Sequence, residues 1–340
     1  MVVMQSLLLF YPSSITMNYF YFFAALYILA GGLSILETSA NPYIIAMGPE
    51  ESGTQRLNMA QSFNPVGSIS GVVISQLFIL SNLNSASAEE RALMNPEQLQ
   101  QIQSAELNAV MGPYVTVAFI LAVIWILIAF VKMPKASDES GDLNLLPTLK
   151  RLLKNRHYVW GVIAQFFYVG AQIGVWSFTI RYVMKELNLN EENAATYYTA
   201  SLILFTAFRF ICTGLMKFIS PRKLLTILAS FAILCTAVVI LSGGYTGVFA
   251  LVGISICMSL MFPTIFGLAV KGLGADTKIG GSGLIMAILG GALLTAIQGL
   301  VSDSTGSINF AYIIPLICFV VILYYGAVAS GKDLESADVV

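Results

Sequence analysis

The chain has 340 residues, of which 57% are hydrophobic and only 10% are charged, and its mean hydropathy is +0.81. A soluble globular domain carries about 25% charged residues, so this composition excludes an ordinary soluble enzyme and predicts an all-α membrane protein. The formal net charge of -1 gives no case for a nucleic-acid partner. One histidine and four cysteines without ligand spacing give none for a metal or a cofactor.

The apolar segments, taken in chain order, predict nine complete membrane spans and one partial span. A spanning helix needs about 20 mostly apolar residues. Residues 1–10 are apolar but only half that long, so we interpret them as the end of a helix. The nine complete candidates are 18–47, 57–80, 113–133, 158–182, 195–219, 224–242, 245–270, 281–301 and 308–330.

Basic residues are concentrated in the segment 134–157, which we therefore place in the cytoplasm. Alternating sides from there puts most of the 17 Lys and Arg residues, and the C-terminus, on the inside. The same segment is the predicted domain boundary. It separates an incomplete N-terminal bundle at 1–133 from a six-helix bundle at 158–340. Within this linker, Leu145 to Leu153 is expected to form a short interfacial helix.

Glu37 is the first charged residue of the chain and lies inside an apolar span. An ionised group there costs roughly 3 kcal/mol on insertion scales. A membrane protein that keeps such a group usually uses it to carry a proton, an ion or a polar substrate. Glu37 is therefore the candidate proton-coupling residue. The alternative is a protonated carboxyl that is hydrogen-bonded to a neighbouring helix.

Three predicted spans carry polar side chains along one helical face. They are Ser34, Glu37 and Asn41; Gln61, Asn64 and Ser68; and Gln165, Tyr168, Gln172, Trp176 and Thr179. Lipid would leave these groups unsatisfied, so they must face a cavity or another helix. Hydrogen bonding between helices explains a single stripe. Three stripes favour a water-filled cavity, and amides, a carboxylate and aromatic rings suit a sugar.

Arg209 lies inside the span 195–219, about 15 Å from its inner end. Two interpretations stay open. The side chain is either a cytoplasmic-side gate or packing cation paired with helix carbonyls, or a cation that snorkels to the membrane surface. Further along, five glycines predict close helix packing: Gly280, Gly281, Gly283, Gly290 and Gly291.

Several of these segments together resemble one family. The segments are ETSANPY at 37–43, RLNMAQSFN at 56–64, AQFFYVGAQ at 164–172, PTIF at 263–266 and LGADTK at 273–278. They are similar to the fucose permease branch of the major facilitator superfamily, which contains L-fucose:proton symporters and glucose/galactose transporters. The resemblance implies a two-bundle fold of twelve spans that works by alternating access.

The resemblance also implies roles for particular residues. Glu37 would be a substrate-coupled acid, and Gln61 and Asn64 would line the sugar site. Phe262 stands where the fucose transporter has a cavity-lining Tyr, and a Phe there looks more like other hexose transporters. The candidate sugar-binding residues are Asn41, Gln61, Asn64, Gln165, Tyr168, Gln172, Trp176 and Phe262, with Arg209 as the candidate gate.

The sequence therefore predicts a proton-coupled symporter that imports L-fucose across the inner membrane, as a monomer in the lipid bilayer. The alternatives are a glucose/galactose or other hexose transporter of the same branch, and a non-transporting truncated gene product. We expect that two and a half helices of the twelve-span arrangement are absent before residue 1. The family's second acid, in the first span, would be absent with them. On that expectation the chain as given inserts poorly and does not transport.

Overall fold

The computed structural model describes residues 19–79, 84, 90–91, 93–132 and 145–329, and helices make up nearly all of this part of the chain. The α-helices are α1 Tyr19–Ala46, α2 Gly53–Gln61, α3 Phe63–Ile74, α4 Pro96–Phe130, α5 Leu145–Lys154, α6 Arg156–Leu187, α7 Glu191–Leu215, α8 Pro221–Ser242, α9 Gly244–Met258, α10 Met261–Val270, α11 Thr277–Met286, α12 Leu289–Thr305, α13 Ile308–Ala311 and α14 Ile313–Tyr324. One π-helical turn, Ser75–Ile79, follows α3 and another, Tyr325–Ala329, follows α14.

The all-α membrane fold predicted from the sequence is confirmed. Among the described residues, seven helical segments are long and apolar enough to cross a bilayer. They match seven of the nine predicted spans. The predicted span 57–80 is instead interrupted at Ser62, between α2 and α3. The predicted span 113–133 is the apolar end of α4, where Val115–Phe130 is the shorter apolar stretch.

Contacts between residues divide the chain into two units, one of residues 1–37 and 66–134, the other of residues 38–65 and 135–340. In the first unit, an ion pair joins Arg91 Nη2 to Glu106 Oε1 at 2.6 Å. The hydrogen bond from Arg91 lowers the pKa of the Glu106 carboxyl. By the bounds given above, the second unit contains α2 as well as α5 to α14. The predicted bundles at 1–133 and 158–340, separated by the linker 134–157, stay a prediction.

The core of the second unit is built from large side chains on α6, α7, α9 and α14. Tyr168, Tyr182, Phe205, Leu251 and Phe319 are almost completely buried there. Helices α6 and α12 pack tightly at Gly290, where a Cβ would collide with the main-chain carbonyl of Phe166. The prediction of close packing at this glycine is confirmed, because any larger residue would force α12 away from α6.

Two prolines explain where two of the spans are broken. Pro65 has no N–H, so it cannot donate to the carbonyl four residues earlier, at Gln61, and α2 ends at that residue. Pro263 in the same way leaves the carbonyl of Ser259 without its helical donor, and α9 ends at Met258. Each break therefore exposes one main-chain acceptor inside an apolar region, where an unsatisfied carbonyl is costly.

Candidate functional site

Three of the predicted site residues form a chain of side-chain amides. Gln61 Nε2 donates to Asn41 Oδ1 at 2.8 Å, and Asn64 Nδ2 donates to Gln61 Oε1 at 3.3 Å. Asn41 and Gln61 are buried, while Asn64 is exposed. Helical spacing on α1 and across the break between α2 and α3 brings these amides together. The exposed amide of Asn64, at one end of this hydrogen-bonded series, can therefore form hydrogen bonds with a polyhydroxylated ligand.

Aromatic side chains from α6, α7 and α10 form a second group. The rings of Trp176 and Phe205 meet edge to face with centroids 5.0 Å apart, and the Trp176 indole N–H donates to Ser255 Oγ at 3.3 Å. Tyr168 is buried and donates to the carbonyl of Met258 at 3.1 Å, and its ring lies 6.2 Å from that of Phe262. Trp176 and Phe262 remain half-buried, so part of each ring is available to pack on a ligand.

Arg209 connects the amide chain to the aromatic group. Its Nη1 donates to the carbonyl of Gln61 at 3.0 Å, and its Nε donates to the carbonyl of Ser259 at 2.5 Å. These are the two acceptors that Pro65 and Pro263 leave without helical donors. The guanidinium carbon lies 4.9 Å from the centre of the Phe205 ring, a favourable cation–π distance. Arg209 is only 4% exposed. Its pairing with helix carbonyls, one of the two interpretations above, is observed, and the snorkelling interpretation is wrong.

Helix α2 packs directly on α10 through small and polar side chains. Asn58 Nδ2 donates to the carbonyl of Thr54 at 2.9 Å and to Thr264 Oγ1 at 3.2 Å. A Cβ at Gly267 would lie 2.6 Å from Thr54 Oγ1 and 3.0 Å from the Thr54 main chain. The glycine therefore permits the close approach of α2 to α10. We call this contact, formed by Thr54, Asn58, Thr264 and Gly267, the α2–α10 contact.

Glu37 lies on α1, one helical turn before Asn41, and is half-buried. The four-residue spacing puts both side chains on the same side of α1, as the sequence predicts. The proton-coupling role of Glu37 stays a prediction.

The remaining predicted residues lie on α6. Gln172 is half-buried, whereas Gln165 is completely buried, and neither amide atom of Gln165 has a hydrogen-bond partner in the part of the chain that the structure describes. Buried polar groups are normally paired, so Gln165 retains a full hydrogen-bonding capacity for a ligand, a water molecule or a rearranged helix. Its assignment to the sugar site stays a prediction.

Sequence reasoning missed several polar residues in this region. Asn58, Ser255 and Thr264 make the contacts described above, and Gln298 on α12 is completely buried with both amide atoms unpaired among the described residues. Gln298 packs against Gly174 of α6. The signal for Gln298 was present, since it is a lone amide in an apolar segment. Nothing in the local sequence marked Asn58 as the partner of α10.

Searches against known proteins agree with this architecture. A model of the Major Facilitator Superfamily matches residues 1–290. The L-fucose-proton symporter of Escherichia coli is 41% identical over 325 residues, which are 93% of this chain and 74% of that protein. The glucose/galactose transporter of Brucella abortus is 32% identical over 327 residues, which are 95% of this chain and 74% of that protein.

The fold is similar to that of solved transporters. The crystal structure of the Major Facilitator Superfamily transporter FucP in the outward conformation superimposes with a TM-score of 0.92 at 39% identity, covering 96% of this chain and 80% of FucP. The fold and its polar, membrane-embedded side chains define a multi-pass membrane transporter rather than an enzyme. The chain belongs to the Major Facilitator Superfamily, within its fucose permease branch.

Proposed function

We propose that this protein is a proton-coupled symporter that imports L-fucose across the cytoplasmic membrane. The observation that carries the proposal is the amide chain from Asn41 through Gln61 to Asn64, one helical turn from the carboxyl of Glu37. Amide groups donate and accept hydrogen bonds with sugar hydroxyls. The 41% identity to an L-fucose-proton symporter supports the same substrate and the same coupling ion.

The aromatic group would supply the apolar part of the sugar site. Trp176 and Phe262 present half-buried ring surface, and the C–H face of a pyranose packs on such a surface. Gln165, Tyr168 and Gln172, on the same helix as Trp176, would complete the site when it closes around the sugar. Proton and sugar occupancy would together favour the change between inward-open and outward-open states.

Arg209 would act as a gate through the two carbonyls that it joins. Its hydrogen bonds hold the break after α2 against the break after α9. An opening that separates α2 from α10 must release at least one of them together with the α2–α10 contact. The positive-inside pattern of Lys and Arg supports a cytoplasmic location for this contact. On our proposal the gate therefore lies on that side, the C-terminus is also inside, and the protein acts as a monomer.

A glucose/galactose or other hexose transporter is the second candidate. It is supported by Phe262, whose ring offers no hydrogen-bonding group, and by the 32% identity to a glucose/galactose transporter. The third candidate is a non-transporting membrane protein, which would bind a sugar without moving it across the membrane.

Uptake by proteoliposomes distinguishes the three candidates. Vesicles containing the purified protein receive radiolabelled L-fucose, D-galactose or D-glucose, with and without an imposed pH gradient. Accumulation of L-fucose above the equilibrium level, only with the gradient, supports the proposal. Preferential uptake of glucose or galactose supports the second candidate. Sugar binding by calorimetry without any sugar exchange supports the third and contradicts the proposal.

A further inference from the structure

Helix α5 has three distinct faces. At about 100° per residue, Leu145, Leu146, Leu149 and Leu153 project from one side, and all four are between 47% and 73% exposed. Lys150 and Lys154 border this apolar face and are exposed as well. The third face, with Thr148 and Leu152, is buried. The helix is therefore held by one face and presents an apolar surface with a basic edge.

The position of α5 fixes what this surface can meet. With ten residues the helix is about 15 Å long, half of what is needed to cross the hydrocarbon core. It leads directly into the membrane-spanning α6, whose first turn is capped by Asn155 accepting from the Tyr158 N–H at 3.1 Å. The leucines must therefore lie close to the membrane surface, at the entry point of α6.

We propose that α5 binds anionic lipids of the cytoplasmic leaflet. The four leucines enter the boundary between headgroups and acyl chains, and Lys150 and Lys154 hold the lipid phosphates. Within the described part of the chain, neither lysine takes part in an ion pair. A short helix with leucines on one side and lysines at its edge has the composition of an interfacial, anionic-lipid-binding helix.

The bound lipid would support more than α5 itself. Arg151 Nε donates to Asp276 Oδ2 at 2.9 Å, and its Nη2 donates to Asp276 Oδ1 at 2.6 Å. Nη2 also donates to Thr148 Oγ1 at 2.8 Å. Asp276 directly precedes α11, so this two-pronged ion pair fixes the start of α11 to α5. Leu152 packs near Gly280 on α11 and strengthens the same link. Anionic lipid at α5 therefore stabilises the position of α11.

The first test measures where the leucines lie. A bimane probe is attached to Leu149→Cys in a chain whose native cysteines are replaced, and the protein is placed in vesicles with nitroxide groups high on the lipid acyl chains. We expect at least threefold stronger quenching than for the same probe on Lys185→Cys, an exposed position at the other end of α6. Equal quenching at the two positions would show that the leucines are in water or covered by protein, and would overturn the proposal.

The second test measures lipid preference. Spin-labelled phosphatidylglycerol and phosphatidylcholine are compared for association with the wild type and with K150Q/K154Q, in vesicles of phosphatidylcholine containing 30% phosphatidylglycerol. We expect the double variant to lose preference for phosphatidylglycerol by about fivefold for each lysine removed. Lys217→Gln, an exposed lysine outside α5, is the control and should keep the preference. An unchanged preference in the double variant, or an equal loss in the control, contradicts the proposal.

Discussion

Arg209 donates a hydrogen bond to the carbonyl oxygen of Gln61 at 3.0 Å, and this is the carbonyl that Pro65 leaves without a helical donor. The same guanidinium serves the carbonyl of Ser259, which Pro263 leaves free. One buried cation thus satisfies the helix breaks of two spans. The arrangement explains why an arginine is present deep in an apolar helix, since a guanidinium offers several donors in a fixed plane.

Replacing Arg209 should destabilise the protein. Arg209→Gln cannot reach both carbonyls, and each unpaired buried acceptor costs about 1–3 kcal/mol. We expect a fall of several degrees in the midpoint of thermal unfolding in detergent, and a smaller fall for Arg209→Lys, which keeps one donor in reach. Arg181→Lys, an exposed arginine on α6, is the control and should leave the midpoint unchanged. A midpoint unaffected by Arg209→Gln would contradict the bridging role.

Pro65 and Arg209 should be energetically coupled. In Pro65→Ala the new main-chain N–H can donate to the carbonyl of Gln61, so that carbonyl no longer depends on Arg209. We expect Arg209→Gln to cost about 1 kcal/mol less in the Pro65→Ala background than in the wild type. The measurement is a double-mutant cycle on thermal or denaturant unfolding. Strict additivity of the two substitutions would show that the shared carbonyl is not what connects them.

We expect the α2–α10 contact to open during each transport cycle. Asn58 Nδ2 lies 3.2 Å from Thr264 Oγ1, so these two positions face each other. The test is a cysteine pair at 58 and 264, which is oxidised mildly and checked for disulfide formation. We expect the oxidised pair to reduce sugar exchange by at least tenfold and a reducing agent to restore it. Each single cysteine variant, treated in the same way, is the control. Full activity of the cross-linked protein would exclude this contact from the gate.

Glu37→Gln should separate coupling from transport. The amide has nearly the same size and shape as the protonated carboxyl, but it cannot bind and release a proton at neutral pH. We expect the variant to lose accumulation of sugar driven by a pH gradient while it still exchanges external for internal sugar. Glu97→Gln, at an exposed position in the first turn of α4, should retain both activities. Accumulation by Glu37→Gln at the wild-type level would refute the assignment.

Access to the site should follow the burial of its residues. In a cysteine-free background, single cysteines at Asn64 and Gln172 should react with a water-soluble thiol reagent, and sugar should protect them. Ile203 on α7 is 53% exposed but should face lipid and therefore react little. A cysteine at the completely buried Gln165 should also react slowly. Labelling at Ile203 as fast as at Asn64 would contradict a water-filled cavity that is lined by Asn64 and Gln172.

The sequence by itself determined the features that depend on local physics. Hydrophobic length predicted the membrane helices, because each span must satisfy its own backbone in lipid. Helical spacing put Glu37 and Asn41 on one face of α1. The positions of the prolines did not determine where a span breaks: Pro42 lies inside the uninterrupted α1, whereas the predicted continuous span 57–80 is interrupted before Pro65. The glycine at 290 predicted close packing, because it leaves room for a neighbouring backbone.

Only the tertiary structure decided which groups meet. Asn58 and Thr264 are 206 positions apart, and no local pattern encodes a contact of that separation. The two interpretations of Arg209 were equally compatible with its place in α7, and the three-dimensional positions of two distant carbonyls selected one of them. Gln165 and Gln172 lie on the same face of α6. Gln165 is completely buried and Gln172 is half-buried, because the neighbouring helices cover this face unevenly. A periodic pattern identifies the side of a helix whose polar groups need hydrogen-bond partners, whereas tertiary packing determines which groups become those partners.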